Sequence, residues 1–297
     1  MAAKPRQYWS FPVWRPVWSR EKRGDDMKTI RSRDNAFAKQ LIALAHSSRE
    51  RRKARLTVLD GIHLVRAYMD ALGAPHAIAI AESALGREEV AGLLAHPAAT
   101  TVNVLADALM VEASSLDSPA FVMAMATTPD PLPIDASASV LVLEDLQDPG
   151  NVGSLLRSAA AAGIRDVLLS KTTAFAWSPK VLRAAQGAHF LLNIVEGADV
   201  LSFVKTYCGQ SLALAPHGDG AGSLYAQDLS GATAILIGNE GAGLSTDVMR
   251  AVTLRVTIPM PGRIESLNAA AAGAICLFEL VRQRAAFADR APPVTPT

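Results

Sequence analysis

Six short runs in the second half of the chain are apolar almost without a break: VLVLE (140–144), VLLS (167–170), FLLNIV (190–195), SLALAP (211–216), TAILIG (233–238) and LRVTIP (254–259). A strand with one wet face alternates apolar and polar residues, whereas a strand covered on both faces does not. Helical patterns separate these runs, one following Asn151, one at Ser178-Pro179 and a long Ala-rich one after Asn268. Runs of this kind alternating with helices predict a mostly parallel sheet with helices on both faces. Ligands of such sheets bind outside the carboxyl ends of the strands. Three polar segments of this chain fall there.

The first is EDLQDPGNVGSLLR (144–157). Asp148-Pro149-Gly150 reads as a turn, Asn151 as a candidate helix cap, and Arg157 lies roughly two turns inside the helix. The neighbours of Arg157 are apolar or small, so the arginine faces a packed region or a site. The second is GNEGAGLS (238–245), with glycine at three of the six positions 238–243, which lets backbone come close to a ligand. In the third, IPMPGRIESLNAAAAGAICLFEL (258–280), a Pro/Gly turn leads to Ser266-Leu267-Asn268 and a long helix. Helix N-termini present unpaired N–H groups and partial positive charge, so a polar loop entering one is suited to holding a ligand. Neither GxGxxG nor GxxxxGK[ST] spacing occurs in these segments. Gly218-Asp219-Gly220 resembles a fragment of the former but opens no clear helix.

The chain of 297 residues is half apolar, yet no run approaches the roughly 20 residues of a membrane span. Two cysteines, Cys208 and Cys276, make no disulfide framework, and six scattered histidines match no metal spacing. A soluble, cytoplasmic, metal-free protein is expected. Charge is unevenly spread: residues 1–60 carry net +9 and the remainder net −8. The basic excess includes a cluster at Arg49, Arg51, Arg52, Lys53 and Arg55, the pattern of a surface that faces a polyanion.

Residues 1–26 hold three of the four tryptophans without helical periodicity and are expected to be a disordered or mis-assigned extension, with Met27 the natural start. A helix over 35–44, a strand at 56–61, a helix over 63–72 and a second strand in HAIAIAE build a small α/β domain, 27–126. Three prolines mark 127–139 as a linker, 140–286 form the second domain, and 287–297 form a disordered tail.

In order, spacing and strand context, the three segments resemble motifs 1, 2 and 3 of the SpoU (TrmH) family of RNA ribose 2′-O-methyltransferases, of the SPOUT class. The segment RERRKARLTVLDGIHLVRAYMDAL resembles the small substrate-binding domain, related to ribosomal protein L30e, that many members carry. The resemblance implies an α/β fold with a deep trefoil knot near the C-terminus, S-adenosylmethionine as cofactor, and a homodimer whose site includes motif 1 of the other subunit. Asn151, Arg157, Glu240, Ser266 and Asn268 then correspond to the family's functional residues. Gly238, Asn239, Gly243, Ile258, Met260 and Leu267 correspond to the cofactor-binding loops. Ala185-Gln186 stands where relatives often have a serine and a small residue.

The implied reaction is 2′-O-methylation of a ribose in RNA, with 23S ribosomal RNA the preferred substrate and transfer RNA the alternative. The basic cluster Arg49–Arg55 would contact RNA phosphates. Two other readings compete: a non-catalytic RNA-binding protein of the same fold, which intact motifs disfavour, and an ordinary doubly wound nucleotide enzyme, which the missing GxGxxG disfavours.

Overall fold

A computed structural model describes residues 29–114, 120–215, 221–264 and 266–288. The expectations for residues 1–26 and Met27, for Gly218-Asp219-Gly220 and for 289–297 lie outside the described residues.

The first domain contains α1 (Ala36–His46), α2 (Ser48–Ala54), β1 (Leu56–Asp60), α3 (Ile62–Leu72), β2 (Ala77–Ala81), α4 (Glu88–Leu94), β3 (Val102–Leu105), α5 (Asp107–Ala113) and β4 (Val122–Thr127). Its sheet runs β1-β4-β2-β3, with β4 antiparallel to both neighbours and β2 parallel to β3.

The second domain contains β5 (Val140–Leu143), α6 (Pro149–Ala161), β6 (Asp166–Ser170), α7 (Pro179–Ala185), β7 (Asn193–Ala198), α8 (Val200–Thr206), β8 (Gln210–Leu214), β9 (Gly222–Ser223), β10 (Thr233–Ile237), α9 (Thr246–Ala251), β11 (Leu254–Thr257) and α10 (Ala269–Ala288). Seven strands pair in the order β7-β6-β5-β10-β8-β11-β9, every adjacent pair parallel. Both faces are covered, as the apolar runs require. Leu141, Leu143, Ile235 and Ile237 pack with Leu155, Leu156 and Leu277 on one face. Their alternates Val140, Val142, Ala234 and Leu236 pack with Val200, Val204 and Val248 on the other. No described helix is long and apolar enough to cross a membrane.

Two expectations need correction. The run 190–195 is not strand throughout: Ala188–Leu191 form a 3₁₀ turn and β7 starts at Asn193. The final helix reaches Ala288, past the expected boundary at 286. The stretch expected as a linker is tied to the sheet, since Leu132 N–H donates to Asn193 Oδ1 and Asn193 Nδ2 donates to Leu132 O.

The two domains pack directly. Thr57 Oγ1 of β1 donates to Trp177 O at 2.6 Å, and Tyr68 of α3 meets Phe190 edge-on at 5.3 Å. The apolar core continues from one domain into the other.

Candidate active site

β5, β10 and β11 release the three polar segments at their carboxyl ends. α6 starts at Pro149, two residues before Asn151. Its cap is Asp148, whose Oδ2 accepts from Asn151 N–H at 3.0 Å, and Pro149 takes the first turn, where its missing N–H costs nothing. This corrects the expectation that Asn151 caps the helix. Freed from that task, the Asn151 side chain points toward the other two segments.

Asn151 Nδ2 donates to Glu240 Oε1 at 3.0 Å, and Asn151 Oδ1 accepts from Asn268 Nδ2 at 2.9 Å. Glu240 also accepts from the backbone N–H groups of Gln147 and Asp148, both at 3.2 Å. Partial burial works against ionisation of Glu240, but these donors outweigh it and hold the carboxyl below its ordinary value of 4.5. Asn268 Oδ1 in turn accepts from Ala270 and Ala271 N–H, capping α10. One hydrogen-bonded relay, Glu240–Asn151–Asn268, therefore links all three segments.

The Gly238 loop is a tight closed turn. Asn239 N–H donates to Gly243 O and Gly243 N–H to Asn239 O, both at 2.9 Å. Asn239 Oδ1 accepts from Gly241 and Ala242 N–H, and Asn239 Nδ2 donates to Asp145 O. A Cβ on Gly238 would meet Gly243 C and Leu244 N at 2.3 Å, so only glycine fits this return of the chain. α10 lies over the same strand end. A Cβ on Gly273 would meet Leu155 Cδ2 at 2.3 Å and Ile237 Cγ1 at 3.3 Å. Ile258 is buried at the end of β11, Met260 is half-buried, and Leu267 is 41% exposed.

Ser266 is exposed and lies outside the relay. Arg157 is exposed as well, on a different side of α6, and lines a groove of about 570 Å³ with Ala67, Asp70, Ala160, Gln186 and Leu191. The fold does not bring it to the relay of its own chain.

The basic cluster divides. Arg49, Arg52 and Lys53 are exposed on α2, with Arg52 stacked at 4.2 Å over the Phe175 ring. Arg55 is exposed and paired with Asp130. Arg51 corrects the expectation of phosphate contact. It is 6% exposed, and its Nη1 donates to Leu44 O and Ala45 O, carbonyls left open at the end of α1.

Sequence reasoning missed Glu144, whose carboxylate accepts from Ser245 N–H and Oγ, both at 2.8 Å. It also missed Asp145, left-handed at φ 57 and held by Ser170 Oγ. The Asp-Pro pair at 148–149 was a legible cap signal. Nothing local marks Glu144.

A family model described as the SpoU rRNA Methylase family matches residues 138–278. The chain is 32% identical over 277 residues to an uncharacterized tRNA/rRNA methyltransferase of Synechocystis sp., covering 87% of this chain and 95% of the relative. It is 29% identical to the 23S rRNA (guanosine(2553)-2′-O)-methyltransferase RlmP of Bacillus subtilis, covering 86% and 99% of the two chains. The crystal structure of the SpoU methyltransferase AviRb from Streptomyces viridochromogenes in complex with AdoMet superposes with a TM-score of 0.75 at 27% identity, over 84% of this chain and 98% of that one. With its parallel sheet, its three strand-end segments and these similarities, the chain belongs to the SpoU rRNA methylase family.

Proposed function

We propose that this chain transfers a methyl group from S-adenosylmethionine to a ribose 2′-hydroxyl of 23S ribosomal RNA. The observation that carries the reading is the Glu240–Asn151–Asn268 relay, which fastens the three motif segments into one polar corner at the strand ends. The Bacillus subtilis relative is named for a guanosine of 23S rRNA.

The residues fit the cofactor. Ile258, Met260 and Leu267 would supply apolar contact for an adenine, and the loop that glycine at 238 lets close on Gly243 and Leu244 would offer its backbone polar groups to a ribose. Asn239 and Gly243 keep that loop closed on itself, in the shape that would hold the cofactor. Bound there, S-adenosylmethionine supplies a methyl group already activated by its sulfonium. The protein's tasks are to position the 2′-oxygen and ease its deprotonation. Arginine is a poor base, because a guanidinium stays protonated throughout the physiological range. Arg157 accordingly orients the 2′-oxygen and an adjacent phosphate by charge-assisted hydrogen bonds. Glu240, Asn151 and Asn268 keep the motif segments in register, and Ser266 donates to the substrate.

Arg157 faces away from the relay of its own chain, and the 70%-exposed Leu191 lies beside it. That outward pose supports a homodimer in which Arg157 completes the site of a second copy. β10 sits between β5 and β8 in the sheet while α10 returns onto α6, which supports a knotted passage of the final segment. The first domain acts as an L30e-like RNA-binding module, engaging phosphates through Arg49, Arg52, Lys53 and Arg55 in the cytoplasm.

Mapping ribose methylation in total RNA from cells with and without the gene tests the reading. One 2′-O-methyl mark in 23S rRNA that depends on the gene is expected. A mark confined to transfer RNA, or none, overturns it.

A further inference from the structure

The loop between β6 and α7 is fastened to the turn that precedes Asn151. Ala174 N–H donates to Leu146 O at 2.8 Å, and Gln147 Nε2 donates to Thr172 O at 2.7 Å. The same loop carries the first domain. Trp177 O accepts from Thr57 Oγ1, and the guanidinium of Arg52 lies over the Phe175 ring at 4.2 Å. Ala176, the next residue, is held on both sides. Its N–H donates to Glu196 Oε1 at 2.9 Å, and its carbonyl oxygen accepts from His189 Nε2 at 2.8 Å. The backbone flanking Phe175 is therefore fixed between the first polar segment and the first domain.

Phe175 is half-buried and Arg52 is exposed, so one face of the guanidinium rests on the ring and the other meets solvent. Arg51 lies 5.6 Å from the same ring centroid but is buried, with its Nη1 given to carbonyls of α1. It offers no such face. As a clasp between domains an exposed cation–π contact is weak, and the Thr57–Trp177 and Tyr68–Phe190 contacts already join them. What the stack adds is a planar cation held flat at the surface. Unpaired RNA bases stack on guanidinium planes as they do on aromatic rings. Arg49 and Lys53 on α2 and Lys171 in the loop are exposed cations for the sugar–phosphate backbone. A stacking plane among cations is how single-stranded nucleic acid is held.

We propose that Arg52, laid on Phe175, is a stacking platform for an unpaired base of the substrate RNA, beside the polar corner of the three motif segments. This assignment rests on the reading of the chain as an RNA methyltransferase. The base lies on the outer face of the guanidinium, whose N–H edge stays free for a phosphate. Every base has such a flat face, so the platform positions the strand without selecting its sequence. Phe175, outside the three segments, becomes an RNA-positioning residue supplied by the second domain.

The full chain is titrated by fluorescence anisotropy with labelled UUAUU and with the same pentanucleotide carrying an abasic ribose at its centre. The adenine probe binds roughly tenfold more tightly, a gain within reach of one stacked base. Arg52→Lys keeps the charge and removes the plane. In it the two affinities converge, while the slope of log K against log salt stays at the wild-type value. Phe175→Leu, which keeps apolar bulk without the ring, also shrinks the adenine advantage. Equal affinities in the wild-type chain, or an advantage unaltered in Arg52→Lys, overturns the proposal. Should Phe175→Leu fail to fold, the exposed substitution Arg52→Lys decides, with thermal unfolding as its control. Methylation of 23S rRNA by the wild-type chain is assayed in parallel. Methylation without an adenine advantage rejects the platform alone. Absence of methylation rejects the underlying function, and the binding comparison still decides the platform.

Discussion

Asn268 donates to Asn151 Oδ1 at 2.9 Å across 117 residues of chain, joining the start of α10 to the first turn of α6. The same Asn268 caps α10 through its own Oδ1, so one side chain serves stability and site geometry with different atoms. Asn268→Ala loses both and should cost about 1 kcal/mol, the ordinary loss of a helix cap. Asn268→Asp keeps the capping oxygen but cannot donate to Asn151. Urea unfolding should find it closer to wild type than the alanine variant, while methyl transfer falls in both.

Glu240 is held ionised by Asn151 and two backbone donors, so its folded-state pKa lies below the ordinary 4.5. A lowered carboxyl pKa contributes stability that is fully present above the unfolded-state value and is lost as pH falls through the folded one. The stability gap between wild type and Glu240→Gln should be level above about pH 5.5 and shrink on acidification, since the unfolded glutamate titrates near 4.3. A gap that widens toward acid would contradict the assignment. Glu240 is exposed, so the effect is small.

Arg157→Ala should abolish methyl transfer and leave S-adenosylmethionine affinity nearly unchanged, because the arginine lies apart from the Gly238 loop. If each site borrows Arg157 from a second copy, mixing Arg157→Ala with Asn268→Ala and reassociating the subunits should restore activity that neither has alone. No recovery in a mixture proven to form mixed dimers would place Arg157 in its own chain's site.

Gly238→Ala would force a Cβ to within 2.3 Å of the Gly243–Leu244 backbone. Overpacking of this kind costs roughly 1–3 kcal/mol. Because the displaced atoms belong to the closed loop itself, the thermal shift produced by S-adenosylmethionine should be lost as well. A variant with an unaltered shift would mean the loop does not form the cofactor site.

Arg51 and its neighbours should separate by phenotype. Arg51→Ala removes a buried guanidinium from two carbonyls and should destabilise the fold without altering the salt dependence of RNA binding in the protein that remains folded. Neutralising Arg49, Arg52 and Lys53 together should leave stability intact and flatten the slope of log K against log salt by roughly 0.7 per lost single-strand phosphate contact.

Much of this architecture was legible in the chain itself. Runs such as VLVL and TAILI, short, rich in β-branched residues and repeated between helical patterns, point to strands buried on both faces, and Asp148-Pro149 marks a helix start by local chemistry. The positions of the three polar segments at strand ends follow from the βα order. Periodicity misled at 190–192, where an apolar triplet fits a buried 3₁₀ turn as well as a strand. The basic cluster was read as one surface because charge composition carries no direction. Only the docking of α2 against the end of α1 turned Arg51 inward while leaving Arg52 outside.

By itself the sequence determined most of the buried strands, their mostly parallel sense and the types of residue at the strand ends, because these depend on local spacing and on the solvent each face meets. The tertiary structure alone decided that Asn151 bonds Glu240 and Asn268 instead of capping its helix, that Arg157 looks outward, and that Thr57 bonds Trp177 across the domain boundary. Each of these depends on which distant groups arrive within about 3 Å, the reach of a hydrogen bond. No pattern along a chain encodes that distance until the strands have been laid side by side.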